Sequence, residues 1–122
     1  FVQCGVDALS DDPQSKLAIS NTALWRALAA VRDMAPRIIA SGGGGYNPFS
    51  VARGWAGIWS VLAGFDIPDR LPAEAEALLR DITWRQRRGT DAPERWFTTL
   101  ADPANTGPIR AEIRDLIRLA VS

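Results

Sequence analysis

The 122 residues include no histidine, a single cysteine, a single methionine and a single tyrosine. Without an imidazole the chain cannot supply from within itself the commonest biological acid, base and metal ligand. The lone Cys4 excludes an internal disulfide, which agrees with a reducing cytoplasm. No base lies near Cys4 in sequence, so a small core residue is a better reading of it than a nucleophile. Lys+Arg and Asp+Glu both total 14, giving zero formal net charge. Such a balance offers no electrostatic case for nucleic acid or an anionic membrane surface. The only basic cluster, Arg85-Gln86-Arg87-Arg88, falls at the predicted carboxyl end of a helix, where cations favour the dipole. No apolar run approaches the roughly 18 residues of a membrane span. The length and the 47% hydrophobic content are those of one globular domain's worth of chain.

What the chain does have is a run of four glycines, Gly42 to Gly45, followed by the sole tyrosine, Tyr46. A short apolar run at 37–40 precedes them and reads as a strand. Asn47-Pro48 follows, a good helix opening. Glycines at a strand end let the backbone turn and pass close to another group, since no Cβ intervenes. A second strand is expected at 1–4, running into Gly5-Val6-Asp7. Between the strands a helix should open near Ser20 or Asn21, with Leu24, Leu28 and Val31 at helical spacing and Trp25 beside them, and Pro36 stops it from continuing. Strand, helix and strand in this order make a crossover unit with parallel strands. Both carboxyl ends then share one sheet edge, the edge where α/β proteins bind ligands, and Asp7 and Tyr46 should approach a common cavity there.

The next helix should run from Pro48 to Ala63, with Asn47 as N-cap and Gly64 as its stop. It is apolar nearly all round, which predicts burial. Gly54 and Gly57 predict close approach of a neighbour, and Arg53 a structural pairing with a carboxylate. Residues 65–122 read as wholly helical. One helix is expected over 73–88, stopped by Gly89, with Ala75, Leu78, Leu79 and Ile82 on one stripe. A short one follows over 91–100. A last one opens at Pro108, with Ile109, Ile113, Leu116, Ile117 and Ala120 on one face. These helices should pad the sheet. The expected class is α/β, with two parallel strands and about five helices in one domain over 1–122. Residues 1–64 form its strand–helix–strand–helix part with the site loops.

Gln3-Cys4-Gly5-Val6-Asp7-Ala8-Leu9, Asp12-Pro13 and Gly42 to Tyr46 with Val51-Ala52-Arg53 resemble the C-terminal third of the histone deacetylase superfamily, an arginase/deacetylase-type fold. Ile67-Pro68 and Trp96-Phe97-Thr98-Thr99-Leu100 are similar to its bacterial acetoin-utilisation deacetylase-like branch. The resemblance covers essentially the whole chain and implies zinc-dependent hydrolysis of an acetyl-lysine-type or small acyl-amine amide. It puts Asp7 on a zinc-ligand position and Tyr46 on the catalytic tyrosine. Gln14, Gly44 and Gly45 fall at substrate-binding positions. Two departures stand out. Gln14 replaces an apolar tunnel residue, often leucine, and either makes a more polar mouth or points to solvent. Asp11 replaces a small residue.

Taken without the resemblance, Asp7 is an ordinary turn aspartate and Tyr46 a half-buried aromatic with a satisfied hydroxyl. The glycine loop also allows a rival class: a non-catalytic module holding an anion or nucleotide at a helix N-terminus. Neither GxxxxGK[ST] nor GxGxxG in its expected context is present. A catalytic zinc needs about three protein ligands and an open position. One carboxylate does not meet that need. The expectation is therefore a C-terminal segment that starts in mid-strand at Phe1, is inactive by itself, depends on upstream residues for the other ligands and bases, and self-associates through strand edges or exchanged helices.

Overall fold

The computed structural model describes residues 1–85 and 91–121. Strand β1 is Val2–Gln3 and strand β2 is Ala40–Ser41. They pair in parallel, Val2 against Ala40 and Gln3 against Ser41. The expected strands at 1–4 and 37–40 were both too long, and β2 sits closer to the glycines. Parallel pairing continues irregularly beyond the strand ends. Val2 N–H donates to Ile39 O at 2.9 Å, Cys4 N–H to Ser41 O at 2.9 Å and Val6 N–H to Gly44 O at 2.7 Å. The hydrogen bonds thus follow the chain out of the sheet and tie the two loops together.

Helix α1, Asn21–Arg32, is capped by Ser20, whose hydroxyl accepts from Ala23 N–H. Its buried residues are Asn21, Trp25 and Leu28, whereas Val31 of the predicted stripe is exposed. Helix α2, Pro48–Ala63, keeps the expected bounds. Asn47 Oδ1 accepts from Phe49 and Ser50 N–H, and Gly64 ends the helix in the left-handed region at φ 74°. The two helices meet at glycines, as close approach requires. A Cβ on Gly57 would stand 2.0 Å from the Trp25 indole, and one on Gly54 2.9 Å from Val6. The indole N–H of Trp25 donates to Gly54 O at 3.0 Å. Cys4, Val6, Leu9, Trp25, Leu28 and Ile58 form the core beneath this crossing.

The expected all-round burial of α2 is not observed. Its buried face holds Phe49, Arg53, Gly54, Gly57 and Ile58, while Trp59 is 64% exposed. Only one side of α2 receives α1; nothing among the described residues covers Trp59.

Helix α3 is Ala73–Asp81, α4 is Arg95–Thr98 and α5 is Ala111–Ala120. All three are shorter than expected. Residues 82–85 have left the helix, and the reason is Trp84. It turns toward Phe49 (6.3 Å between ring centroids) and Trp96 (6.0 Å). The stop at Gly89 and most of the basic cluster lie outside the described residues. Of the predicted stripe only Leu79 is buried; Leu78 and Ile82 are exposed. Phe49, Leu79 and Trp96 make a second core, with Phe49 stacked on Trp96 at 5.2 Å. So α3 and α4 cover the start of α2 rather than the sheet, and α5 buries none of its side chains.

Arg53 fastens these parts together. It is 1% exposed, donating from Nε to Thr99 O at 2.6 Å and from Nη2 to Asp102 Oδ1 at 2.8 Å. Asp102 Oδ2 accepts from Asn21 N–H at the start of α1, and Asn21 Oδ1 accepts from Asp102 N–H at 2.8 Å. Removing one member of a buried pair leaves the other charge without compensation. Asp102→Ala should therefore lower unfolding free energy by about 3–5 kcal/mol in urea titration. A loss within about 0.5 kcal/mol, the range of an ordinary surface substitution, would show that the pair is not structural.

Candidate functional site

The carboxyl ends of β1 and β2 lead into the loops holding Asp7 and Tyr46. The packing between these loops explains the glycines. None of residues 42–45 adopts positive φ. What glycine provides here is room. A Cβ on Gly43 would fall 1.7 Å from Gln3 Nε2 and 2.9 Å from Gly5 Cα. A Cβ on Gly44 would fall 2.0 Å from Asp7 Oδ2 and 2.5 Å from its Cγ. The Asp7 carboxylate therefore lies directly against Gly44, two residues before Tyr46.

Asp7 is exposed, and Tyr46 is 48% exposed. Gly45 is held between Val6 and Val51: a Cβ there would meet each at 2.7 Å. Gln14 is exposed, and its backbone N–H donates to Asp12 Oδ1 at 2.8 Å. The strand–helix–strand unit thus places Asp7, Gly44, Gly45 and Tyr46 together on one edge, with Gln14 joined to Tyr46 through Asp12. Two cavities, of about 450 and 250 Å3, lie elsewhere. The first is lined by Trp25, Val61 and Ile67 among others, the second by Arg53, Leu71 and Leu79 among others, and neither by Asp7 or Tyr46.

The contacts of two neighbours of the site escaped the sequence reading. Asp12 is 1% exposed, and its Oδ2 accepts from Tyr46 N–H at 2.7 Å. Asp11 accepts through Oδ2 from Trp96 Nε1 at 2.6 Å and from Arg95 Nη2 at 2.5 Å, while its carbonyl accepts from Asn47 Nδ2 at 3.0 Å. The Asp12-Pro13 pair was visible as a motif, but no local signal tells which amide its carboxylate meets 34 residues away.

These bonds bear on the rival reading. An anion at the start of α2 would need free N–H groups. Tyr46 N–H is bound to Asp12, Phe49 and Ser50 N–H to Asn47 Oδ1, and Val51 N–H to Asn47 O. Pro48 has no N–H. The protein's own Asp12 and Asn47 oxygens already occupy these donors. Cys4 is buried as a free thiol, and burial pushes its pKa up, away from nucleophilic use.

A parallel strand–helix–strand unit of this kind defines an α/β protein, the class in which ligands bind outside the carboxyl ends of the strands. A model of the histone deacetylase domain matches residues 1–62, half of the chain, and the chain belongs to that family. It is 37% identical over 71 residues to putative histone deacetylase 2 of Caenorhabditis elegans, a match covering 58% of this chain and 14% of that protein. The fold superposes on the crystal structure of an HDAC homologue from Aquifex aeolicus with a TM-score of 0.83 at 34% identity, covering 99% of this chain and 33% of that one. An HDAC homologue crystallised in complex with SAHA gives a TM-score of 0.80 at 35% identity, with the same coverage. The chain thus spans about a third of the length of these solved structures.

Zinc, which the family resemblance implies, finds no complete site here. Among the described residues, no three of His, Cys, Asp and Glu are grouped to hold a metal. Asp7 is a single carboxylate, well short of the usual donor set.

The contact of Asp7 with Gly44 is directly testable. Asp7 is exposed and free to rotate away, whereas the Gly44 backbone is held by Val6 N–H. Gly44→Ala should therefore move the Asp7 carboxyl carbon resonance while changing unfolding free energy by less than about 1 kcal/mol, small beside the usual overpacking cost. An unmoved Asp7 resonance would mean that the close approach does not persist in solution.

Proposed function

We propose that this chain supplies the tyrosine and one carboxylate ligand of a zinc-dependent amide hydrolase acting on acetyl-lysine or a related small acyl-amine. The other ligands and the bases would come from residues outside this chain. The observation that carries the reading is the Asp7 carboxylate packed on Gly44, within the loop that presents Tyr46. Tyr46 is 48% exposed and lies beside the Asp7 loop, so a substrate can reach it. Its hydroxyl would donate a hydrogen bond to the acyl carbonyl oxygen and hold it as negative charge develops there. Gly44 and Gly45 would form part of the wall of the substrate site, where the lack of a Cβ lets Asp7, Val6 and Val51 close in, and the exposed Gln14 gives the mouth a polar residue in place of an apolar wall.

Within the family we place the chain in the acetoin-utilisation-like branch, on the motifs at Ile67-Pro68 and Trp96 to Leu100. A cytoplasmic setting, where Cys4 stays reduced, goes with it. Binding of SAHA by one of the solved homologues supports a pocket for a small acyl-type ligand in the complete protein.

In the longer protein, Tyr46→Phe should lower kcat on an acetyl-lysine peptide by about 10²-fold or more, with little change in KM, since a donor acting on developing charge is worth about that much. Near-normal turnover would remove Tyr46 from the mechanism.

This chain by itself should give no tight stoichiometric heat with zinc in calorimetry, because Asp7 has no partners to complete the coordination. Its exposed Trp59, Ile39 and Phe1 side chains should also drive self-association at micromolar concentration in sedimentation. Tight zinc binding by this chain would refute the shared-ligand reading, and a monomer would refute the self-association.

A further inference from the structure

We propose that Asp12 is a positioning residue for Tyr46. This rests on the catalytic reading of Tyr46 above and adds to it the means by which the tyrosine is aimed. Tyr46 follows four glycines, whose backbone has unusually wide conformational freedom. Tyr46 itself is half-exposed. Something must fix the backbone from which the hydroxyl projects. Asp12 does so with two oxygens. Oδ2 accepts from Tyr46 N–H at 2.7 Å and Oδ1 from Gln14 N–H at 2.8 Å, so one buried carboxylate spans both loops.

The backbone that carries this carboxylate is itself held, for Asp12 N–H donates to Leu9 O at 3.0 Å. Its neighbour Asp11 is bound through the side chain to Arg95 and Trp96 and through the carbonyl to Asn47, the residue after Tyr46. Two successive residues thus grip Tyr46 and Asn47, and Arg95 and Trp96 of α4 hold the first of the two. A charge-assisted bond to a carboxylate is about twice as strong as a neutral one. A loop end freed of it would let the hydroxyl wander. A misplacement of about 1 Å can cost roughly 10²-fold in rate.

The test uses the longer deacetylase chain with an acetyl-lysine peptide, in a double-mutant cycle of Asp12→Ala and Tyr46→Phe. Asp12→Ala should lower kcat by about 10- to 10²-fold with KM nearly unchanged. In the Tyr46→Phe background the same change should cost no more than about twofold, because the two act as one unit. Asp12→Asn retains the size and one acceptor oxygen, so it should fold and fall between wild type and Asp12→Ala. It serves in place of Asp12→Ala if that variant is insoluble.

Hydrogen exchange at the Tyr46 amide provides a readout independent of activity. It should speed up in both Asp12 variants while the amides of Ile58 and its neighbours in α2 keep their protection. Unchanged exchange at Tyr46, or equal losses of kcat with and without the tyrosine hydroxyl, would overturn the inference. Normal turnover by Tyr46→Phe would instead overturn the catalytic reading, and the kinetic part of this inference with it. The exchange measurement would still decide whether Asp12 holds the loop.

Discussion

Four side chains of alternating charge run through the middle of the molecule. Arg53 of α2 meets Asp102 at 2.8 Å, Arg95 of α4 reaches the same carboxylate at 3.7 Å, and Asp11 meets Arg95 at 2.5 Å. Each joins a different stretch of the chain. Asp102 also closes the start of α1 through Asn21, so the line ties α1, α2, α4 and the loop at Asp11 together. A buried ion pair adds little net stability over a well-packed apolar substitute. It does make the arrangement specific. A guanidinium 1% exposed cannot tolerate an alternative packing that leaves it without its carboxylate. The line is loosest at Arg95 Nε, which is buried and makes no hydrogen bond but lies 3.7 Å from Asp102 Oδ1.

The candidate site sits at the end of that line. Two-residue strands are too short to orient anything by themselves, since isolated pairs of strands are marginal. The loops beyond them are held by contacts of their own. Val6 N–H binds Gly44 O, Asp12 binds the Tyr46 and Gln14 amides, and Asn47 caps α2 while binding Asp11 O. The site is therefore rigid in its backbone and open in its side chains. Asp7 and Tyr46 face solvent from a frame in which the neighbouring polar groups are already satisfied. The same economy closes the start of α2 to outside anions.

The aromatic cluster around Phe49 is where α3, Trp84 and α4 meet the start of α2. Phe49 lies one turn beyond Tyr46, stacked on Trp96 and edge-on to Trp84 and Phe97. Aromatic pairs of this geometry add about 0.5–1.5 kcal/mol beyond burial. Trp96 then donates its indole N–H to Asp11. A single residue thus links the second core to the dipeptide that holds the tyrosine loop, and this explains why an acid at position 11, rather than a small residue, suits the fold.

By itself the sequence determined what depends on near neighbours. Asn47 before Pro48 and Gly64 after Ala63 set the bounds of α2, Ser20 set the start of α1, and the crossover made the two strands parallel, because caps, stops and handedness are local backbone properties. The glycine loop was legible as a place of close approach, and Arg53 as a residue needing a carboxylate. Which atoms approach, and which carboxylate answers, was decided only in three dimensions. Asp102 is 49 residues from Arg53 and Asp12 is 34 from Tyr46, and no pattern within either segment encodes that pairing. The early end of α3 was hidden for a similar reason. Residues 82–85 have a helical pattern, but the gain from burying Trp84 against Phe49 and Trp96 outweighs the fraction of a kcal/mol per residue that helix propensity contributes. Local signals set the elements and the ends that carry a cap, and contacts between distant residues set where α3 stops and what the site faces.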